Sequence, residues 1–204
     1  IAAIPENERF GTLETDYELL THLQPHRRNM LALQSRVGMG EILYGRRVGE
    51  FTVADLIPEA LRQNLSRLIV GEVRGSEAGA MFEAMQSGAG TLSTTHSHSA
   101  ASTMDRLASR VAQGGVLSVD EAYRQIAHHI HLLVYVRLTD DTWRGGRRTR
   151  LVAEIRQLTG GIEAGRPVTQ LVYAAPTATS PAVFHPEPVF AAELAEFDEA
   201  WDRS

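Results

Sequence analysis

Hydrophobic positions along this 204-residue chain follow two rhythms. As far as about residue 130, short apolar runs alternate with stretches whose apolar positions recur every three or four residues. Beyond it, every second position is apolar. The first regime predicts strands alternating with helices and the second predicts antiparallel strands. "RFGTLE" (9–14), "MLALQSR" (30–36), "RLIVGEV" (67–73) and "GTLSTTHS" (90–97) read as the strands of the first part. Between the second and third of these lies a glycine-rich loop, "VGMGEILYGRRVGE" (37–50). Thr52 with Asp55 three residues later opens a helix through Leu56, Ile57, Leu61 and Leu65, which Pro58 is expected to kink or restart.

Three further helices follow. One starts after Ser76, carries Ala78, Met81, Phe82 and Met85 on one face, and stops at Gly88. Another carries Met104, Leu107, Ala108 and Val111 and ends at Gly114; the last opens on Ser118 with Glu121 and runs to about Ile130. "HLLVYVRL" (131–138) and "RLVAEIRQL" (150–158) then form a hairpin around Gly145 and Gly146, and "VTQLVYA" (168–174) adds a third strand. The fold class is therefore α/β, a largely parallel sheet extended by antiparallel strands, in a domain covering residues 1–175. Residues 176–204 read as a linker with Pro176, Pro181, Pro186 and Pro188, then a short amphipathic helix with Phe190, Leu194, Phe197 and Trp201 on one side.

Composition narrows the chemistry. With 43% hydrophobic and 22% charged residues the chain can bury a core, and no apolar run approaches the roughly 20 residues that span a bilayer. The amino end has no basic stretch followed by an apolar one, so the expected compartment is the cytoplasm. Absence of cysteine excludes disulfides, thiolate catalysis and cysteine-based zinc sites. A net charge of −5 counts against a nucleic-acid partner, because phosphate affinity rests on clustered cations. All 20 basic residues are arginine.

Three of the strands end in polar residues: "ETDYE" (14–18), "GEVRG" (71–75) and "STTHSH" (93–98). In parallel sheets, ligands sit beyond the carboxyl ends of the strands. If these three strands are neighbours, Glu14, Glu72 and His96 converge on one crevice. Carboxylates, a histidine, hydroxyls and arginines suit a magnesium-bound polyphosphate: Mg²⁺ prefers oxygen ligands and keeps waters, and arginine neutralises charge on a transferring group. Each residue also has a plain role: Glu72 facing the positive start of the next helix, Arg74 in a structural ion pair, His96 in a buried hydrogen bond. His96 and His98 would share a strand face, but no third metal ligand is marked. The arginines at 144–150 read as a solvated hairpin tip, and "HHIH" (128–131) as a helix end.

The stretch "LSRLIVGEVRGSEAGAMFEAMQSGAGTLSTTHSHSAASTMDRLASRV" (65–111) resembles the Walker B and His-box region of the type II/type IV secretion ATPases, particularly the CpaF-like branch of Tad-type pilus assembly. "GTLETDYEL" (11–19) resembles their acidic box, "GEFTVADLIPEALRQNLSRLIVGE" (49–72) continues the likeness, and "VDEAYRQIAHHIHLLVYVRL" (119–138) extends it, so that it covers roughly residues 9–175. The resemblance implies a RecA-like ATPase domain in a hexameric ring that uses ATP and Mg²⁺. It implies Glu72 as the Walker B carboxylate, acting on Mg²⁺ through water or on the attacking water, with Glu14 and Asp16 as acidic-box carboxylates and His96 near the terminal phosphate. Thr94 and Thr95 are implied nucleotide-binding residues. Arg62, Arg74 and Arg27 or Arg28 are implied to read nucleotide state across a subunit interface.

The chain departs from the family in two places: only Arg62 stands where relatives often carry two arginines and a Pro-Asp pair, and the acidic box reads Glu-Thr-Asp rather than Glu-Asp-Thr. A phosphate-binding GxxxxGK[ST] loop needs a lysine that this sequence lacks. The resemblance places that loop ahead of a helix whose tail reads as Ile1–Ile4, so this stretch alone is expected to hydrolyse nucleotide hardly at all. The intact protein is expected to be a motor at the inner face of the cell membrane, driving a membrane platform protein and binding no nucleic acid. The rival readings are a catalytically degenerate assembly subunit and a RecA-like nucleic-acid motor.

Overall fold

The computed structural model describes residues 1–75, 77–86, 90–115 and 117–175, and the backbone of 183–184. They separate into two compact units, one of residues 1–96 and 107–122, the other of residues 97–106 and 123–204. Among the described residues no helix is long and apolar enough to cross a membrane.

In the first unit, strands β1 (Phe10–Glu14) and β2 (Met30–Gln34) are followed by a small ribbon, β3 (Ile42–Leu43) and β4 (Arg46–Arg47). Helix α1 (Val53–Leu61), strand β5 (Arg67–Val70), helix α2 (Glu77–Gln86) and strand β6 (Gly90–Ser93) complete the run. The main sheet has the order β2-β1-β5-β6 and every pairing is parallel, with Leu13 beside Val70 and Val70 beside Ser93. Every residue of β1 is buried, as expected for a parallel strand covered on both faces. Phe10, Leu13, Leu68 and Val70 from the strands, Ile57 and Ala60 from α1, and Met81 and Phe82 from α2 make the core. At the amino ends of the strands, Arg67 pairs with Glu8, and the Arg9 guanidinium donates to the Gln63 carbonyl.

The predicted capping box is present: the Asp55 amide donates to the Thr52 hydroxyl at 3.3 Å and the Thr52 amide to the Asp55 carboxylate at 2.7 Å. Pro58 does not break α1. It lies on the exposed face, where water can satisfy the carbonyl its missing N–H leaves over, while the opposite face is fixed by burial of Val53, Ile57 and Ala60. The helix stops at Leu61, so Leu65 is not part of it. The glycine-rich stretch is not a plain loop, since it holds the β3–β4 hairpin. Gly38 permits this, because a Cβ there would come within 2.5 Å of the Arg47 Cβ. Arg46 ties the hairpin to Asp55, and Ile42 and Tyr44 stand exposed on it, with Met39 exposed just before it. Two predicted strands end early, β5 at Val70 and β6 at Ser93.

Helices α3 (Ala100–Gln113) and α4 (Val119–His129) lead into the second unit. Ser99 caps α3, accepting from the Ser102 amide at 3.1 Å, and Ser118 caps α4, accepting from the Glu121 amide at 3.2 Å. Strands β7 (Leu132–Asp140), β8 (Arg148–Glu163), β9 (Arg166–Ala174) and β10 (Val183–Phe184) form an antiparallel sheet in the order β10-β9-β8-β7. The expected third strand is β9. These strands do not extend the parallel sheet, which corrects that part of the expectation: β6 is hydrogen-bonded to β5 and β7 to β8, and no bond joins β6 to β7. Along β7, Leu133 is buried while Leu132, Val134, Val136 and Leu138 are about half exposed. Tyr123 donates to Asp105 at 2.7 Å, and Arg166 pairs with the same carboxylate at 3.0 Å. The proline-rich linker and the amphipathic segment, apart from the backbone of β10, lie outside the described residues.

Candidate functional site

The chain leaves β1 toward β2 on one side and leaves β5 toward β6 on the other, so the connections from two adjacent parallel strands diverge. Such a divergence opens a crevice at the carboxyl ends of the strands. A hollow lies there, lined by Glu14, Thr15, Asp16 and Glu18 after β1 and by Gly71, Glu72 and Arg74 after β5.

Glu14 is the last residue of β1 and is 3% exposed. Its Oε1 accepts the amides of Glu18 and Leu19, each at 2.9 Å, which curls the following loop back over the strand end. Its Oε2 is buried and has no hydrogen-bond partner. A carboxylate oxygen with an unmet demand, at the edge of a hollow, suits a water or a cation. Gly71 packs against this group, and a Cβ there would sit 3.0 Å from the Glu14 Cγ.

Glu72 follows the end of β5 by two residues. Its Oε2 accepts from Arg74 at 2.5 Å and its Oε1 lies 3.4 Å from the His96 Nε2. Bonding to Glu72 and its charge hold Arg74 still more firmly in its cationic form, with Glu18 and Asp16 adding to the effect. The loop between Glu72 and α2 is shaped by Glu77, whose Oε1 accepts the amides of Arg74 and Gly75. An acid in the first turn of a helix was a readable signal for that role, although sequence reasoning passed over it. Glu18 was overlooked too, and nothing in its spacing marks it.

Of the predicted residues, the structure brings together Glu14, Asp16, Glu72, Arg74 and His96. His96 and His98 lie beyond the end of β6, so they do not share a strand face, and the His96 side chain is 84% exposed. The Thr94 hydroxyl donates to the Gly71 carbonyl and the Thr95 hydroxyl to the Val73 carbonyl at 3.0 Å. Arg62 is not in this group. It closes α1 at the opposite end of the sheet, beside the Gln63 that Arg9 bonds, and it pairs with Glu59 on the surface. Arg27 is buried and bound to the carbonyls of Ile1, Ala2 and Ile4, whereas Arg28 is exposed.

Four carboxylates around one guanidinium would repel a bare polyphosphate and favour one that arrives with a cation. Among the described residues no group of three or more His, Asp or Glu side chains is disposed to hold a metal ion. The donor set therefore fits Mg²⁺ held largely by its own waters and by phosphate oxygens, with carboxylates gripping the waters.

Four likenesses to known proteins bear on the family and the fold. The family described as "Type II/IV secretion system protein" matches residues 18–159. VirB11 of Agrobacterium fabrum is 30% identical over 150 residues, covering 72% of this chain and 41% of that protein. In fold, the chain is similar to the crystal structure of the VirB11 ATPase from the Brucella suis type IV secretion system, solved in complex with sulphate. There the TM-score is 0.54 at 24% identity, over 72% of this chain and 40% of that one. The Legionella pneumophila ATPase DotB gives a TM-score of 0.51 at 24% identity, over 71% of this chain and 36% of that one. The chain thus spans about two-fifths of the length of the relatives it matches.

Proposed function

Because this chain belongs to the Type II/IV secretion system protein family, we propose that it supplies the Walker B and His-box part of a RecA-like ATPase that drives secretion or Tad-type pilus assembly. The observation that carries the reading is the hollow at the ends of β1 and β5, lined by Glu72 and by Glu14, whose Oε2 has no hydrogen-bond partner. ATP hydrolysis needs a group that orients the attacking water and groups that answer the charge on the transferring phosphoryl. Glu72 orients that water, and its bond to Arg74 sets where its carboxylate lies. Asp16 and the Glu14 Oε2 would hold waters of a bound Mg²⁺, which would neutralise phosphate charge. His96, exposed at the rim, reaches the terminal phosphate.

Of the exposed candidates, Arg74 lines the chain's own hollow while Arg62 lies at the opposite end of the sheet, and in a head-to-tail ring the residues that face a neighbour's nucleotide are on the surface away from the subunit's own site. We therefore assign that role to Arg62 or Arg28; Arg74 is bonded to Glu72, and Arg27 is spent on the carbonyls of Ile1, Ala2 and Ile4. In the intact protein the ring is a hexamer acting on a membrane platform protein at the inner face of the cell membrane.

The test is magnesium-dependent ATP turnover of the full-length protein beside its Glu72→Gln form. A water-orienting carboxylate contributes about 10²- to 10⁴-fold, and a loss in that range is expected. An unchanged rate would remove Glu72 from the chemistry and the reading with it.

A further inference from the structure

We propose that Thr94 and Thr95 are positioning residues that clamp the backbone on both sides of Glu72, and not ligands of the nucleotide. This rests on the reading of Glu72 given above. Regular pairing between β5 and β6 ends at Val70 and Ser93, so Glu72 lies past the last rung of the ladder. Backbone bonding to the neighbouring strands continues only at Gly71 and Val73, on either side of it. Three bonds replace the missing rungs: the Thr94 hydroxyl donates to the Gly71 carbonyl, the Val73 amide donates to the Thr94 carbonyl at 2.8 Å, and the Thr95 hydroxyl donates to the Val73 carbonyl at 3.0 Å. On the other side, the Gly71 amide donates to the Leu13 carbonyl at 2.8 Å. The residues before and after Glu72 are thus each tied twice.

Two features set this apart from ordinary strand continuation. Consecutive side chains of a strand point to opposite faces, yet both threonine hydroxyls return to the same three-residue segment. The chain must leave strand geometry at Thr94 for that to happen. A hydroxyl also has a single proton. Each of these protons is given to a backbone carbonyl, and a phosphate oxygen can only accept. Neither threonine can donate to a phosphate without releasing its hold beside Glu72.

A misplacement of the order of 1 Å in a reacting group can cost about 10²-fold in rate. Thr→Val keeps the side-chain shape and removes the proton, whereas Thr→Ser keeps the proton. In the full-length protein, the Thr94→Val/Thr95→Val pair should lower kcat roughly ten- to a hundred-fold. KM and the dissociation constant for Mg²⁺-ATP should stay within about two-fold, a split that marks loss of an interaction made in the transition state. The Thr94→Ser/Thr95→Ser pair should stay within about two-fold of the native protein throughout. Hydrogen exchange at the Val73 amide should quicken in the valine pair and not in the serine pair.

Weaker nucleotide binding with kcat unchanged would make the threonines ligands and overturn the clamp, as would unchanged turnover and unchanged Val73 exchange. If the valine pair does not fold, the single Thr95→Val protein is measured by the same readouts and judged by the same outcomes. A Glu72→Gln protein that keeps full turnover would instead defeat the reading of Glu72, whereas an inactive Glu72→Gln protein beside a fully active valine pair would defeat the clamp alone.

Discussion

The parallel sheet and the antiparallel sheet both place charged side chains at strand ends, and they hold them by different means. At the end of β1, Glu14 is buried and takes two backbone amides on one oxygen. At the turn between β7 and β8, Asp140 pairs with Arg148 and accepts the amide and hydroxyl of Thr142, and Asp141 pairs with Arg144, all open to water. Backbone bonds at a buried end fix a group's direction before any ligand arrives. Ion pairs at a solvated tip contribute little to stability. Burial follows the same division: β1 is covered on both faces, whereas β7 alternates between covered and open.

Core truncation gives the sharpest contrast. Leu68 in β5 is fully buried, so Leu68→Ala should cost about 2–5 kcal/mol in chemical denaturation. Val136 in β7 is 55% exposed, and Val136→Ala should cost less than about 1 kcal/mol. Equal losses would mean that the outer face of β7 is covered in solution. Next in size is Glu14→Ala, which strands the amides of Glu18 and Leu19 and should cost roughly 1–3 kcal/mol, with the loop after β1 exchanging faster. A stability unchanged by that substitution would show that water serves these amides as well as Glu14 does.

The smallest effect is a dependence on pH. Hydrogen bonding from Arg46, then from Thr52, holds the Asp55 carboxyl well below its usual range, against the opposing effect of burial. A depressed folded value stabilises above the unfolded value, near pH 3.9, and this gain is lost as pH falls through the folded value. Arg46→Ala should therefore lower stability by its full amount at neutral pH, and the gap from the native protein should close as the medium becomes more acid than about pH 4. A gap that does not vary with pH would separate Asp55 from the stability of the hairpin.

Much of this molecule is legible in its residues, because local chemistry decides it. Apolar runs bounded by polar residues gave β1, β2 and β5 their places, and Thr52 with Asp55 announces α1 at its observed start. Glu14 and Glu72 stand out because a carboxylate at the end of a buried strand has few reasons to be there. What could not be read is settled by partners distant in sequence. Pro58 passes because the far side of its helix is buried. The direction of the Thr94 and Thr95 hydroxyls depends on a segment more than twenty residues earlier. Arg27 has the charge of a ligand-reading residue and is used to gather the carbonyls of Ile1, Ala2 and Ile4. The hairpin at 42–47 was hidden by its glycines, which read as looseness and serve close approach.

Asp55 carries one last consequence. The same carboxylate oxygen accepts from the amide that begins α1 and from the arginine that fastens the β3–β4 ribbon. The helix start and the ribbon therefore draw on one carboxylate. The ribbon's bare isoleucine and tyrosine thus stand on a hairpin moored to the start of α1.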